Sequence, residues 1–207
     1  MARKLPTNPR KRASQQRSRA TVDALIEATA RILVRQGFDK ASTNRIAEMA
    51  GVSIGSLYQY YPGKDALVAA VIDRHNQELM KVVRGAFAEV TTLPIEQAVR
   101  RLVAVAIEAH RIDPRLHRVL AEQIPRTGRL ENVETFNREV HALFKAYLEG
   151  HSDELHVVDL ELAAFMCVTS IEALAHTAVL YHSKMLSEEA VETLVNETTR
   201  LVVGYLR

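Results

Sequence analysis

The fold is decided by residues 42–67, which read STNRIAEMAGVSIGSLYQYYPGKDAL. The serine and threonine that open this stretch suit an N-cap, and Gly51 suits the end of the short, apolar-faced helix that follows. Ser53 can cap a second short helix, predicted over residues 54–60 and closed by the turn at Pro62. Two short helices joined by a glycine-containing turn have the spacing of a helix-turn-helix, because glycine permits the backbone to reverse there.

The rest of the chain also favours helices. Hydrophobic residues make up 47% and charged residues 25% of the 207 residues, which excludes disorder, collagen and fibrous coiled coil as descriptions of the whole chain. Glycine and proline total only 14 residues, and no segment alternates with period two. We therefore predict an all-α fold of about nine helices, of which the first spans 19–36 and the last two span 157–182 and 188–205.

The net charge of +2 conceals an uneven distribution. Residues 1–65 carry twelve Lys/Arg and five Asp/Glu, a charge of +7, and the remaining 142 residues carry −5. Such an asymmetry indicates a nucleic-acid or membrane contact confined to one end. A secretory signal requires an apolar run after its basic start, and none follows here. The uncharged, largely apolar stretch 162–171 is about half as long as a membrane span. With a single cysteine, Cys167, we expect a cytoplasmic protein without disulfides.

The helix predicted over 54–60 has the character of a helix that enters the DNA major groove. Its outward side chains are small or flat, and Gly55 lets the backbone approach the groove wall. Gln59 can hydrogen-bond an adenine edge, Ile54 can contact a thymine methyl group, and Ser56 can bond to base or phosphate. Leu57 and Tyr61 are expected to face inward, and the other tyrosine hydroxyls suit phosphates.

These motifs together resemble the DNA-binding domain of the tetracycline-repressor (TetR) family of bacterial transcriptional regulators. Gly37-Phe38, Thr-x-x-Ile-Ala, Ala-Gly-Val-Ser, Leu-Tyr-x-Tyr and Lys-x-x-Leu fall in register over residues 18–70. The resemblance implies that the helix over 54–60 is the recognition helix, that Thr43 contacts phosphate and that Lys64 lies on the DNA backbone. Tyr61 departs from the family pattern, which usually has phenylalanine there, and its hydroxyl needs a partner or solvent.

The expected DNA contacts are Thr43, Asn44, Arg45, Ser53, Ile54, Gly55, Ser56, Tyr58, Gln59, Tyr60 and Lys64. Two of them have alternative roles. Thr43 suits an N-cap as well as a phosphate contact, and Arg45 suits an ion pair with Glu48 as well as DNA.

Three segments follow from these patterns. Residues 1–17 are predicted to be a flexible basic arm, 18–64 the helix-turn-helix domain and 65–207 a helical effector-binding and dimerisation domain. The arm either tracks phosphates and the minor groove or is a solvated tail.

The resemblance implies that the last two helices form a four-helix interface in a homodimer, with the recognition helices one turn of DNA apart. The predicted interface residues, taken from apolar helix faces, are Leu160, Ala164, Cys167, Val168, Ile171, Leu174, Val191, Leu194, Val195, Thr198 and Val202.

In such a protein the middle helices enclose an effector pocket. Its candidate lining residues are Phe87, His110, Phe136, Phe144, Tyr147, Phe165, Met166, Thr169 and His176, although most apolar residues at helical spacing are core. Nothing in the sequence selects one effector.

The sequence favours neither an enzyme nor a metalloprotein. No pair of histidines has the i, i+4 spacing of a helical zinc site, and no phosphate loop, nucleophile elbow or dinucleotide fingerprint is present, so we expect no cofactor. We therefore predict a one-component regulator that binds a double-stranded DNA operator and is most simply a repressor released by a small-molecule effector. An activator or an architectural DNA-binding protein without an effector is the alternative, and an enzyme or helical lipid carrier is a third class.

Overall fold

The computed structural model describes residues 16–122, 130–182 and 187–207. Within these ranges it is all-α, with nine α-helices and a short 3-10 helix, Ser152–Glu154. The helices are α1 Gln16–Gln36, α2 Thr43–Ala50, α3 Ile54–Tyr60, α4 Lys64–Val90, α5 Ile95–Arg111, α6 Pro114–Glu122, α7 Leu130–Glu149, α8 Leu160–Tyr181 and α9 Glu188–Leu206. The predicted all-α fold is confirmed.

Side-chain and glycine caps set the bounds of the two short helices. Ser42 is the N-cap of α2, where its hydroxyl accepts from the Arg45 amide at 3.4 Å. Gly51 ends α2 in the left-handed region, with φ of 67°, and its amide donates to carbonyls of the last turn. Ser53 caps α3 by accepting from the Ser56 amide at 3.1 Å. The predicted helix-turn-helix therefore forms for the expected local reasons.

Two long helices begin at other residues than the sequence indicated. α1 already includes Gln16, the first described residue, rather than beginning at 19, so it takes in the end of the segment predicted to be an arm. α8 begins at Leu160 rather than 157, because Asp159 is its N-cap and accepts from the Leu162 amide at 3.0 Å. Residues 1–15, which make up nearly all of that arm, lie outside the described residues.

The chain packs as two compact units. The first unit comprises residues 1–76 and 115–133 and has a continuous apolar core. That core includes fully buried leucine and isoleucine side chains from α1, α2, α3 and α4, and α6 adds Leu116, Val119 and Leu120 to it. Each fully buried side chain of this kind contributes about 1.5–3 kcal/mol. This division differs from the boundary predicted between 64 and 65, which falls at the start of α4.

The second unit comprises residues 77–114 and 134–207. Within it α5 packs against both α8 and α9, and α8 also contacts α9. Val99, Val103 and Ile107 of α5 are almost fully buried. The amide of His156 donates to the Leu206 carbonyl at 2.9 Å and so connects the segment before α8 to the end of α9.

By length and composition α8 could cross a membrane, with a mean hydropathy of 1.5. In the structure one side of α8 packs inside the second unit, where Ala163, Ala164, Cys167 and Ile171 are buried. Burial raises the pKa of the Cys167 thiol to about 12. Part of the apolar composition of α8 is therefore used for helix packing inside the second unit.

Candidate nucleic-acid interface and apolar cavity

The recognition helix α3 has one exposed side and one buried side. Ile54 and Tyr58 are 39% and 41% exposed, and Gly55 and Gln59 are also exposed. We call these four residues the outer face of α3. On the other side Leu57 is fully buried in the core of the first unit. The outer face therefore presents an amide, an aromatic hydroxyl, an apolar group and bare backbone, as base and phosphate contacts require.

Two hydroxyls meet beside the outer face. The Thr43 hydroxyl at the start of α2 lies 3.1 Å from the Tyr58 hydroxyl on α3. Asn44 is exposed next to Thr43. Because Ser42 is the N-cap, Thr43 is not needed for capping, so the alternative role considered for it is removed. One of these hydroxyls donates to the other, which leaves the proton of the accepting hydroxyl to donate to a phosphate oxygen.

Two serines lie at the start of α3, Ser53 as its N-cap and Ser56 in its first turn. The Ser53 and Ser56 hydroxyls lie 2.9 Å apart, and Ser53 also accepts from the Ser56 amide. Ser53 is exposed and Ser56 is half-buried. Both hydroxyls are thus close to the start of α3 but are already engaged with each other.

Three predicted DNA contacts have other surroundings. Tyr60 is only 8% exposed and belongs to the core of the first unit, so its ring does not lie on the outer face. Arg45 donates to the Gln36 side chain and to the Lys40 carbonyl, both at 3.0 Å, rather than pairing with Glu48. Lys64 donates to the Phe38 carbonyl at 3.1 Å, and its ammonium lies 3.9 Å from the centre of the Phe38 ring. Lys64 thereby connects the start of α4 to the turn after α1.

Tyr61 is buried as expected, with 3% of its surface exposed. Burial raises the pKa of Tyr61 to about 12, a direction that Asp23 and Asp73 favour and the charge of Arg74 opposes. Its hydroxyl is therefore neutral at any physiological pH.

A cavity of about 80 Å³ lies inside the second unit. Thirteen of its fifteen lining residues are apolar, and the two polar ones are His110 and Glu172. The lining residues are Leu79, Val83, Ala86, Phe87, Leu102, Val105, Ala106, Ala109, His110, Phe136, Val140, Phe144, Val168, Ile171 and Glu172. They come from α4, α5, α7 and α8.

Of the nine predicted pocket residues, Phe87, His110, Phe136 and Phe144 line this cavity. The others do not line it. Tyr147 is buried and donates to the Leu93 carbonyl at 2.7 Å, and the ring of His176 packs edge-on against His110. Phe165, Met166 and Thr169 are exposed, because they lie on the side of α8 away from its core contacts.

One polar residue that lines the cavity, Glu172, was not predicted from the sequence. Glu172 is the one charged residue between Leu162 and Tyr181 of α8 if histidine is taken as neutral. A lone carboxylate within an apolar run was the signal that could have identified it.

The positions of the predicted dimer contacts need correction. Six of them are buried inside the protomer, because the apolar faces that the sequence pattern selects are those that pack α8 and α9 onto α5. These six are Ala164, Cys167, Ile171, Val195, Thr198 and Val202. Leu160, Val168, Val191 and Leu194 are half-buried, and Leu174 is exposed.

Leu174 and six residues that were not predicted as dimer contacts form the exposed apolar surface of α8 and α9. Its large side chains are between 39% and 57% exposed. We use the name α8–α9 surface for Leu162, Phe165, Met166, Leu174, Tyr181, Leu201 and Tyr205.

Family models match both parts of the chain. Residues 25–71 match the bacterial regulatory proteins of the tetR family. Residues 94–206, more than half of the chain, match the tetracyclin repressor-like C-terminal domain.

Individual proteins agree with this assignment. The nucleoid occlusion factor SlmA of Haemophilus ducreyi is 32% identical over 85 residues, and the match covers 41% of each chain. A transcriptional regulator of Pseudomonas aeruginosa has a similar structure, with a TM-score of 0.70 and 27% identity over 95% of this chain and 98% of its own.

The regulator FadR of Bacillus subtilis, solved in complex with stearoyl-CoA, has a TM-score of 0.66 and 16% identity over 89% of this chain and 99% of its own. At 16% identity this structural similarity shows a shared fold and no more. Taken with the two family matches and the helix-turn-helix geometry, these findings show that the chain belongs to the TetR family of DNA-binding transcriptional regulators, which are not enzymes.

Proposed function

We propose that this regulator is a cytoplasmic homodimer that represses transcription from a roughly palindromic operator and leaves it when a small molecule binds in the cavity of the second unit. The observation that carries the proposal is the outer face of α3, an exposed polar and aromatic surface on an otherwise buried helix.

The outer face supports sequence-specific contact with DNA. Gln59 has the amide that reads adenine, and Gly55 lets α3 approach the bases, since it leaves the backbone uncovered. The Thr43 and Tyr58 hydroxyls, hydrogen-bonded to each other, leave one proton to donate to a phosphate. Phosphate contacts fix the register in which the base contacts are made.

The α8–α9 surface supports a dimer. Large apolar side chains such as Phe165 and Leu201 are half exposed in the protomer, and several large exposed apolar side chains on neighbouring helices favour an interaction site. A second copy of the chain is the occupant we propose, because two recognition helices related by a two-fold axis fit two half-sites about 34–36 Å apart.

The cavity supports release by an apolar effector. Its wall is almost wholly apolar, as small-molecule sites usually are. The structurally similar FadR of Bacillus subtilis was solved with stearoyl-CoA, an acyl chain on a large polar carrier. Release requires only that the effector bind more tightly to a dimer whose recognition helices no longer match the operator spacing.

One experiment tests the proposal. Genome-wide capture of bound DNA should recover a compact inverted repeat, including one near the regulator's own gene, and the purified protein should bind it in a gel-shift assay. Gln59→Ala should lower the affinity for that repeat by about tenfold, the value of one good base contact. Gln77→Ala, at an exposed position on α4, is the matched control and should leave the affinity unchanged.

The alternatives predict different outcomes. An activator would bind the same kind of repeat, but deleting its gene would lower rather than raise transcription of the neighbouring genes. An architectural protein would bind with a small ratio of specific to non-specific affinity. Either result would contradict repression.

A further inference from the structure

The polar group in the wall of the cavity is a pair of side chains, of which His110 is buried and Glu172 is half exposed. His110 of α5 is only 5% exposed, and its Nε2 atom lies 3.2 Å from Glu172 Oε1 of α8. Its Nδ1 atom lies 2.7 Å from the Ala106 carbonyl oxygen. Both residues line the cavity, whose other lining residues are apolar.

The hydrogen bonds define where the protons are. A carbonyl oxygen only accepts, so Nδ1 carries a proton and donates to Ala106. A carboxylate also accepts, so when Glu172 is ionised Nε2 donates to it, and with both nitrogens protonated His110 is an imidazolium. Burial lowers the pKa of His110, but the hydrogen bond and charge of Glu172 and the Ala106 carbonyl outweigh it, so the pKa lies above its ordinary value.

The pair offers a ligand a carboxylate rather than a hydrogen-bond donor. Both ring nitrogens of His110 are engaged with the protein, so His110 can donate to a ligand only by giving up one of these bonds. The Glu172 side chain is 49% exposed, and a carboxylate has about four acceptor positions. A ligand group that donates can add to it, whereas an anionic group finds no donor in this pair that the protein does not already use.

On the proposed function, in which an effector occupies this cavity, we infer that the effector is an amphiphilic amine, with an apolar body among the phenylalanines and a protonated nitrogen donating to Glu172. An ammonium on a carboxylate is a charge-assisted hydrogen bond, stronger than a bond from a neutral donor. This assigns Glu172 as the residue that determines the chemical class of the ligand.

The test uses three ligands with the same alkyl chain. Decylamine, decanol and decanoate are titrated into the full chain at neutral pH, below their micelle concentrations, and binding is measured by calorimetry. We expect decylamine to bind at least about tenfold more tightly than decanoate, as one charge-assisted hydrogen bond provides. Glu172→Gln should bring the two affinities to within about threefold, because the amide keeps the shape but loses the charge.

Two further variants locate the effect. Glu161→Gln lies on the same helix but does not line the cavity, and it should keep the preference for the amine. Val168→Phe fills the cavity and should weaken all three ligands. Decanoate binding as tightly as decylamine, or an amine preference that survives Glu172→Gln, would overturn the inference.

The same samples separate this inference from the proposed function. If decanoate binds more tightly and releases the operator, and Val168→Phe blocks that release, the effector cavity stands and the assignment to amines is wrong. If none of the three ligands binds or alters operator affinity, the assignment to amines is wrong and release through this cavity loses its support, while operator recognition by α3 is unaffected.

Discussion

Tyr58 and Tyr60 lie two residues apart on α3 and have opposite surroundings. Tyr58 is 41% exposed with its hydroxyl 3.1 Å from that of Thr43, and Tyr60 is 8% exposed in the core. We predict that Tyr58→Phe lowers operator affinity by about five- to tenfold, the value of about one hydrogen bond. Tyr60→Phe should leave it within twofold. Gel-shift titrations of both variants measure their operator affinities. A larger loss of affinity for Tyr60→Phe than for Tyr58→Phe would contradict the assignment of Tyr58 as the DNA contact.

The His110–Glu172 pair predicts how stability depends on pH. The pKa of His110 is raised in the folded state. Its contribution to the free energy of unfolding is therefore complete below the unfolded pKa of about 6.5 and is lost as pH rises through the folded pKa. We therefore expect the stability difference between wild type and His110→Gln to shrink as pH is raised from about 6 to 9. Urea unfolding of both proteins at several pH values measures this difference in the free energy of unfolding. A difference that grows over this range would show that the histidine is neutral when folded.

Sequence reasoning at single residues succeeded where a local rule applies. The placement of Gly51 and Ser53 followed from backbone and capping chemistry, which depends on neighbouring residues alone. Tyr60 was misplaced and the partners of Arg45 were not predicted, since these contacts come from elsewhere in the fold: Tyr60 packs in the core of the first unit, and Arg45 bonds to Gln36 and Lys40. Spacing along one short helix does not show which neighbour covers a residue.

Two glycines show how helix ends differ from helix interiors. Gly51 has φ of 67°, a conformation that costs an L residue about 1–2 kcal/mol. Gly85 lies inside α4, is exposed, and has no atom within 4 Å of an added Cβ. We predict that Gly51→Ala destabilises the protein by about 1–2 kcal/mol and that Gly85→Ala stabilises it by about 0.5–1 kcal/mol. The urea midpoint should fall for Gly51→Ala and rise for Gly85→Ala. Midpoints that move in the same direction would refute the distinction between the two glycines.

The bounds of most helices could be predicted because caps and breakers punctuate the sequence. The faces of α8 and α9 could not be assigned in the same way. Both helices are apolar on more than one side, so periodicity identifies their broad apolar character without showing which side meets α5. Similarly, four of nine predicted pocket residues line the cavity, since a void between helices depends on how several elements pack together.

The α8–α9 surface gives a prediction for assembly. Phe165→Glu and Leu201→Glu each place a charge in the proposed two-fold interface, where burying it without a partner is costly. We expect either variant to be monomeric at micromolar concentration by analytical ultracentrifugation, with operator affinity lowered at least tenfold. Val82→Glu changes an exposed apolar residue of α4 outside this surface and is the control. A dimer that survives both substitutions would place the interface elsewhere.

At the scale of the whole chain, the division into units was the hardest feature to predict. Residues 115–133 belong to the first unit although about forty residues separate them from its main part. Sequence patterns report local order, whereas the packing of α6 against the core of the first unit is a contact between distant segments. The charge asymmetry could be found without knowledge of the packing, because it follows from counting charged residues. Residues 1–65, which include the helix-turn-helix, carry +7.

The remaining expectation concerns the basic arm. Arg10, Lys11 and Arg12 precede the described part of α1, so deleting residues 5–15 removes these three charges, keeps Arg3 and Lys4, and leaves the described helix intact. Each lost phosphate contact should reduce the slope of log affinity against log salt by about 0.9, or by about 5 for three residues in each of two subunits. Replacing the three residues by glutamine should have the same effect at full chain length. An unchanged slope in both proteins would show that the arm is a solvated tail.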